Sequence, residues 1–259
     1  VVRVDPEDVL TRTADLPDAV VRYAGHADGL IDVHLPARHS GTRPLVVLLH
    51  GGFWRAAYDR VPTRPLANAL AADGFVVATP EYRRVGGPGD LAGGWPTTFD
   101  DISAAMDALP GLLAALGVRC DAVTVVGHSA GGHLALWLAN QGQRVDRIVA
   151  LAPVGDLREA VAKNTGRGAT QDLLGGTPTD VPERYDAADP ATRLVQRPSC
   201  EVVIVHGVDD QDVPVQNSRG LANRFPFIEL RELEGIEHYG LIDPRSRAWP
   251  VVRAAIRGG

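Results

Sequence analysis

Four short aliphatic runs recur along the chain: LVVLL (45–49), FVVAT (75–79), AVTVV (122–126) and VVIV (202–205). Each is followed by a longer segment with apolar residues at helical spacing. A strand without a polar face must be covered on both sides, which is the condition of a parallel sheet flanked by crossover helices. The chain is therefore expected to be α/β, a mostly parallel doubly wound sheet of eight strands with helices on both faces. Candidate strands are Val20–Tyr23, Leu30–Leu35, Leu45–His50, Phe75–Pro80, Ala122–Gly127, Arg147–Ala150, Glu201–His206 and Phe227–Leu233. The first two alternate in polarity and lie close together, which predicts an antiparallel edge hairpin. Helical patterns cover Thr63–Asp73, Asp100–Leu116, Ala130–Gln141, Pro214–Phe225 and Pro244–Arg257; the first three each stop at a glycine, as helix C-termini prefer.

No repeat or linker divides the 259 residues, so 1–259 reads as a single domain. Residues 156–198 break the rhythm. A structureless loop of that length is uncommon, so the segment is expected to be a small helical cap insertion over the site. In such sheets, sites collect beyond the carboxyl ends of the strands.

Composition narrows the function classes. Lys and Arg total 26 against 32 Asp and Glu, for a net charge of −6. The cations are scattered, and Lys163 is the one lysine, so no basic block tracks phosphates and no nucleic-acid partner is expected. Strictly apolar runs such as Leu45–Leu49 are far too short to cross a membrane. With no basic-then-apolar leader visible, the expected location is cytoplasmic. Two cysteines make neither a disulfide framework nor a four-ligand zinc site, and no CxxC, HExxH or calcium-loop pattern occurs. Neither metal nor cofactor is expected. Cys120 and Cys200 precede strands that this fold separates by a third. Two strand spacings of roughly 9.6 Å exceed the ~7 Å reach of a disulfide, so both should be free thiols.

The sharpest chemical signal is Gly127-His128-Ser129-Ala130-Gly131, directly after AVTVV and directly before a helical pattern. This is a G-x-S-x-G elbow in its strand–turn–helix context, which projects the Ser129 hydroxyl above the sheet edge. Gly127 and Gly131 are small because side chains there would collide with the neighbouring strand and helix. A second signal, His50-Gly51-Gly52-Phe53-Trp54, ends the LVVLL run. Acyl transfer develops charge on a carbonyl oxygen, and a glycine-rich loop brings backbone N–H groups close enough to stabilise it. The N–H groups of Gly52, Phe53 and Ala130 are the expected oxyanion hole, with His50 bracing the loop. Phe53, Trp54, Trp95 and Tyr239 are the candidate acyl-pocket residues.

Serine needs a base oriented by an acid. Of the eight histidines, His26, His34 and His39 fall in the N-terminal edge region. An elbow is expected to turn His128 and His133 away from the hydroxyl, and His206 ends a strand as a buried brace. His238 remains, in a loop after the final strand. An acid in the loop after Glu201–His206 gives the chain order Ser, Asp, His, the order expected on this fold. Asp209, Asp210 and Asp212 all lie there, and gross location does not choose among them. Asp212 is also accounted for as a helix N-terminal charge, two residues before Pro214.

Across nearly its whole length the chain resembles the α/β-hydrolases. HGGFW resembles the HGGXW motif of kynurenine formamidases and related carboxylesterases, GHSAGGHLA (127–135) is close to their nucleophile motif, and HGVDDQDVP (206–214) resembles the superfamily's HGxxDxxVP acid loop. The resemblance implies Ser129 as nucleophile, Asp210 as acid and His238 as base. Hormone-sensitive-lipase-like esterases usually carry a third glycine where this chain has Phe53, and an acidic residue where it has His128. Both departures favour the formamidase-like branch. The same motifs recur in short-acyl esterases, including some feruloyl and acetyl-xylan esterases. The expectation is a cofactor-independent serine hydrolase acting on a small-molecule ester or aryl formamide. The alternatives are an amidase or peptidase on the same scaffold, or a hydrolase fold kept only for binding.

Overall fold

The computed structural model describes residues 7–37 and 41–259; His39 lies outside them. Eight strands form one sheet: β1 (Ala19–Arg22), β2 (Leu30–His34), β3 (Thr42–Leu49), β4 (Val76–Pro80), β5 (Arg119–His128), β6 (Arg147–Leu151), β7 (Glu201–Gly207) and β8 (Ile228–Leu233). Their spatial order is β1-β2-β4-β3-β5-β6-β7-β8. β1 and β2 form the expected antiparallel hairpin, β2 runs antiparallel to β4, and every other pairing is parallel.

The all-apolar runs divide their side chains between two cores. Val46, Leu48, Val77, Val126, Val149, Val203 and Val205 point to one face, where helices Arg64–Ala72 and Trp249–Arg257 cover them. Leu45, Val47, Leu49, Val76, Val125, Ile148 and Ile204 point to the other, under helices Thr97–Ala115 and Ala130–Leu138. The period of two in side-chain direction sends successive residues to opposite cores. Each fully buried Val or Leu contributes roughly 1.5–3 kcal/mol, and burial on both faces makes the central strands the stable frame on which the loops stand.

Most element boundaries differ from the sequence reading by a few residues, and two of the shifts bear on the site. The C-terminal helix begins at Trp249 rather than Pro244, because hydrogen-bonded turns occupy 243–248. The helix after β7 spans Gln216–Arg224, so Pro214 precedes its N-cap, Val215, and Asp212 lies in the loop rather than on the helix. Residues 157–193, between β6 and β7, carry four short helices: Leu157–Ala162, Ala169–Leu174, Pro182–Ala188 and Pro190–Arg193. They sit on the nucleophile-side helix: His133 Nε2 is 3.0 Å from the Ala188 carbonyl, and Trp137 Nε1 donates to the Ala187 carbonyl at 3.1 Å. Cys120 and Cys200 are free thiols, separated across β6 as expected. Among the described residues, no helix is long and apolar enough to cross a membrane.

The chain leaves β3 for β4 on one side and returns to β5 on the other. The strand order therefore reverses between β3 and β5, the topological switch point where ligand crevices open in such sheets. Leu49 pairs with Gly127 in register, which places the two glycine-rich motifs side by side at this point.

Candidate active site

Ser129 joins β5 to helix Ala130–Leu138 at φ 56°, ψ −117°, a strained conformation that costs roughly 1–3 kcal/mol. Its surroundings fix that geometry. The Ser129 N–H donates to the Leu151 carbonyl at 2.8 Å, and its carbonyl accepts from His133 N–H at 3.0 Å. A Cβ on Gly127 would strike the Gly131 carbonyl, and one on Gly131 would strike the Leu49 carbonyl. Both glycines are required by the close approach of helix, elbow and β3.

His238 follows β8, in a loop pinned by Glu237, whose carboxylate accepts from the N–H groups of Tyr239 at 2.9 Å and Gly240 at 3.2 Å. Its Nδ1 lies 2.6 Å from Asp210 Oδ2. The other oxygen, Oδ1, accepts from the N–H groups of Asp212 and Val213 at 2.9 and 2.8 Å. Burial alone would raise the Asp210 pKa, but hydrogen bonds from His206 and His238 outweigh it and hold the carboxyl well below its usual range. The group is an ionised acceptor. With the carboxylate on Nδ1, the imidazole is set to offer Nε2 as the base. Asp209 and Asp212 are exposed, and neither carboxylate bonds His238. His206 is fully buried as a brace, its ring nitrogens 2.7 Å from Ser218 Oγ and 2.9 Å from the Val213 carbonyl.

The loop after β3 carries three consecutive left-handed residues, Gly52 (φ 106°), Phe53 (φ 51°) and Trp54 (φ 56°). A Cβ on Gly52 would run into the Tyr58 side chain. His50 braces the loop from below: its Nδ1 is 2.8 Å from the Gly51 carbonyl, its Nε2 is 2.7 Å from Glu81 Oε1, and its ring stacks on Tyr82 at 4.3 Å. Glu81 would be raised by burial, but His50, Arg84 and the Arg60 N–H hold it down at about 2. Neither the Gly52 nor the Phe53 N–H bonds a protein acceptor among the described residues. Ala130 is the first residue of its helix, where N–H groups have no intrahelical partner. Two donors in the loop after β3 and one at the start of the helix after Ser129 thus have no backbone acceptor among the described residues.

A cavity of about 130 Å³ gathers these parts, lined by Gly52, Phe53, His128, Ser129, His238 and Tyr239, with Tyr58, Pro62, Thr63 and Ile242 among the rest of its wall. Ser129 and His238 face it together without a direct hydrogen bond, as is common before substrate tightens such pairs. Burial pushes the Tyr239 hydroxyl up to about 12. Phe53 and Tyr239 are at the wall as expected, but Trp54 and Trp95 are not. Trp54 is buried edge-on to His133 at 5.1 Å, and Trp95 packs on Phe99 at 5.0 Å. Both anchor loops from the core side. His128 also lies elsewhere than the sequence suggests. The elbow turns His133 away, but the His128 ring lies 4.4 Å from that of His238, and its Nε2 is 3.1 Å from the His238 carbonyl. Burial, reinforced by His238, keeps it neutral, its pKa well below the usual range. No motif in the sequence pointed to Tyr58, Thr63 or Ile242, because tertiary packing alone brings them here.

Asp210, Asp212 and His238 offer atoms within 4.8 Å of one another, the closest approach to a cation site among the described residues. Asp210 uses Oδ1 for two backbone N–H groups and Oδ2 for His238, with His206 Nε2 also 3.3 Å from Oδ2. Its carboxylate oxygens are thus already engaged by protein donors.

The BD-FAE family model matches residues 31–225. Uncharacterized peptidase YtmA of Bacillus subtilis (strain 168) is 31% identical over 154 residues, 58% of this chain and 57% of that protein. Probable carboxylic ester hydrolase LipM of Mycobacterium tuberculosis is 25% identical over 201 residues, 71% of this chain and 45% of LipM. The chain thus spans about half the length of these curated relatives. Among solved structures, a truncated carbohydrate esterase from gut microbiota superposes with a TM-score of 0.79 at 18% identity, over 92% of this chain and 94% of that one. The butyrate-bound esterase Est2 of Thermogutta terrifontis superposes at 0.69 with 22% identity, over 92% and 90%. The eight-stranded sheet and its flanking helices are an α/β-hydrolase fold.

Proposed function

This chain belongs to the BD-FAE family, and on that premise we propose that it is a serine hydrolase cleaving small carboxylic esters through an acyl-enzyme. The observation that carries this reading is the 2.6 Å contact of Asp210 with His238 Nδ1, in a loop that opens on the same cavity as Ser129. Ser129 Oγ attacks the carbonyl while His238 Nε2 takes its proton, and Asp210 stabilises the imidazolium that forms. The N–H groups of Gly52, Phe53 and Ala130 receive the developing oxyanion. His238 returns the proton to the leaving group, and water repeats the cycle on the acyl-enzyme.

The small cavity, about 130 Å³, supports formyl, acetyl or butyryl as the acyl group. LipM's name and the butyrate held by Est2 support the same class. The HGGFW segment supports aryl formamides as a second substrate class. YtmA's name supports the amidase or peptidase alternative. The two unpaired thiols support a cytoplasmic location, where cysteines stay reduced. Parallel turnover of 4-nitrophenyl acetate, N-formylkynurenine and a 4-nitroanilide of acetic acid tests the reading. Ester cleavage far above that of the anilide is expected; anilide cleavage at a comparable rate would replace the esterase reading by the amidase one.

A further inference from the structure

A second cavity, of about 450 Å³, adjoins the catalytic one and shares Phe53, Tyr58 and Asp212 with it. Its other wall is built by the segment between β6 and β7, which brings Lys163 and Arg167, together with Arg55 from the loop after β3. Its charges are divided between shared and unshared wall. Asp212 lines both cavities, with an atom within 4.8 Å of the Asp210 and His238 atoms, whereas the three cations line the second cavity and not the catalytic one. Arg55 and Lys163 have acidic partners, Asp172 at 3.5 Å and Glu159 at 2.5 Å, and neither acid lines the cavity. The Arg167 guanidinium has no hydrogen bond or ion pair to protein among the described residues.

The loop that presents Arg167 is held in a strained shape. Asn164 (φ 54°) and Arg167 (φ 51°) are both left-handed, each at a cost that persists only where the surroundings enforce it. Here they do. Arg55 donates to the Gly166 and Arg167 carbonyls at 3.1 Å each, and Gly166 lies so close to the Phe53 ring that a Cβ would overlap it. The residue that shapes the oxyanion loop therefore also seats the arginine loop, so the two cavities keep a fixed relation.

We propose that this second cavity is a subsite for the remote end of the ester, and that it selects substrates carrying an anionic group, a carboxylate, there. Arg167 is the pairing cation, Arg55 positions its loop, and Asp212 turns the anion away from the nucleophile. The proposal rests on the esterase reading above.

The test is kcat/KM for two acetyl esters differing only in that charge, 3-acetoxybenzoate and 3-acetoxybenzamide, in the wild type, Arg167→Gln and Arg167→Glu. The benzoate-to-benzamide ratio should fall at least about ten-fold in Arg167→Gln, the lower end for loss of a hydrogen bond to a charged group. It should fall further in Arg167→Glu, and 0.5 M salt should lower it in the wild type. A ratio unmoved by either substitution overturns the subsite while leaving the esterase reading intact. Failure of the wild type to cleave either ester overturns both.

Discussion

Asp210 Oδ2 stands 2.6 Å from Nδ1 of His238, although 27 residues and the whole of β8 separate the two in the chain. The contact exists because β7 and β8 are parallel neighbours, so the loops leaving their carboxyl ends meet on one edge of the sheet. Two backbone N–H groups hold the opposite oxygen, leaving Oδ2 a single orientation.

Asp210→Asn should therefore cripple catalysis while Asp209→Asn and Asp212→Asn do not. An amide in that place can favour the wrong imidazole tautomer, a loss of up to ~10⁴-fold in comparable triads. Side-by-side kcat values for the three variants check this, and a crippled Asp209→Asn would shift the acid by one residue.

His128 is expected to act as a positioning residue, through His238. Its neutral ring donates from Nε2 to the His238 carbonyl and packs against the His238 ring. His128→Phe removes the donor and should lower kcat by ~10-fold, the order of one buried hydrogen bond, with KM little changed. His128→Gln keeps an N–H in nearly the same place and should recover most of the loss. A role in packing alone would make the Gln variant no better than the Phe.

The acyl-side cavity, at about 130 Å³, should accept short chains only. Among nitrophenyl esters of two to twelve carbons, turnover should peak at acetyl or butyryl and collapse by dodecanoyl. Faster cleavage of the dodecanoyl ester would mean that the wall formed by Phe53 and Tyr239 opens.

Much of this site was legible in the sequence because its determinants are local. The elbow at Ser129 needs small residues at 127 and 131 within one turn, and the oxyanion loop is announced by consecutive glycines at 51 and 52. The central strands were equally readable, since burial on both faces leaves them almost wholly apolar, with Thr79 and Thr124 as the exceptions in the runs. The roles of Trp54 and Trp95 were not legible. Proximity to the motif suggested the pocket wall, but the left-handed turn at 52–54 drives Trp54 inward against His133, a contact set by the fold. The place of His128 is hidden from the sequence for the opposite reason. The strain at Ser129 fixes where the serine points, whereas the direction of the residue before it depends on the β8 loop arriving beside it.

Stability should carry an acid-side signature of His133. Burial holds its imidazole at about 4 in the folded protein, against ~6.5 unfolded. Between these values the unfolded chain binds the proton and the folded one does not. Stability is thus fully present above pH 6.5 and is lost as the pH falls toward 4, by roughly 3 kcal/mol. Urea unfolding at pH 7 and pH 4.5 should show a smaller drop for His133→Gln, which can keep the bond to Ala188 but does not titrate. Equal drops in both proteins would assign the acid sensitivity to other groups.

The central claim is that Ser129 is the nucleophile, and labelling with a fluorophosphonate followed by peptide mass spectrometry tests it most directly. The account predicts one phosphonyl group per chain, on Ser129. It also predicts that Ser129→Ala takes no label, keeps the wild-type circular dichroism and loses nearly all ester hydrolysis, leaving only the ~10³–10⁴-fold catalysis over water that binding and the oxyanion donors supply. Label on another residue, or a Ser129→Ala variant that hydrolyses esters at the wild-type rate, would contradict it.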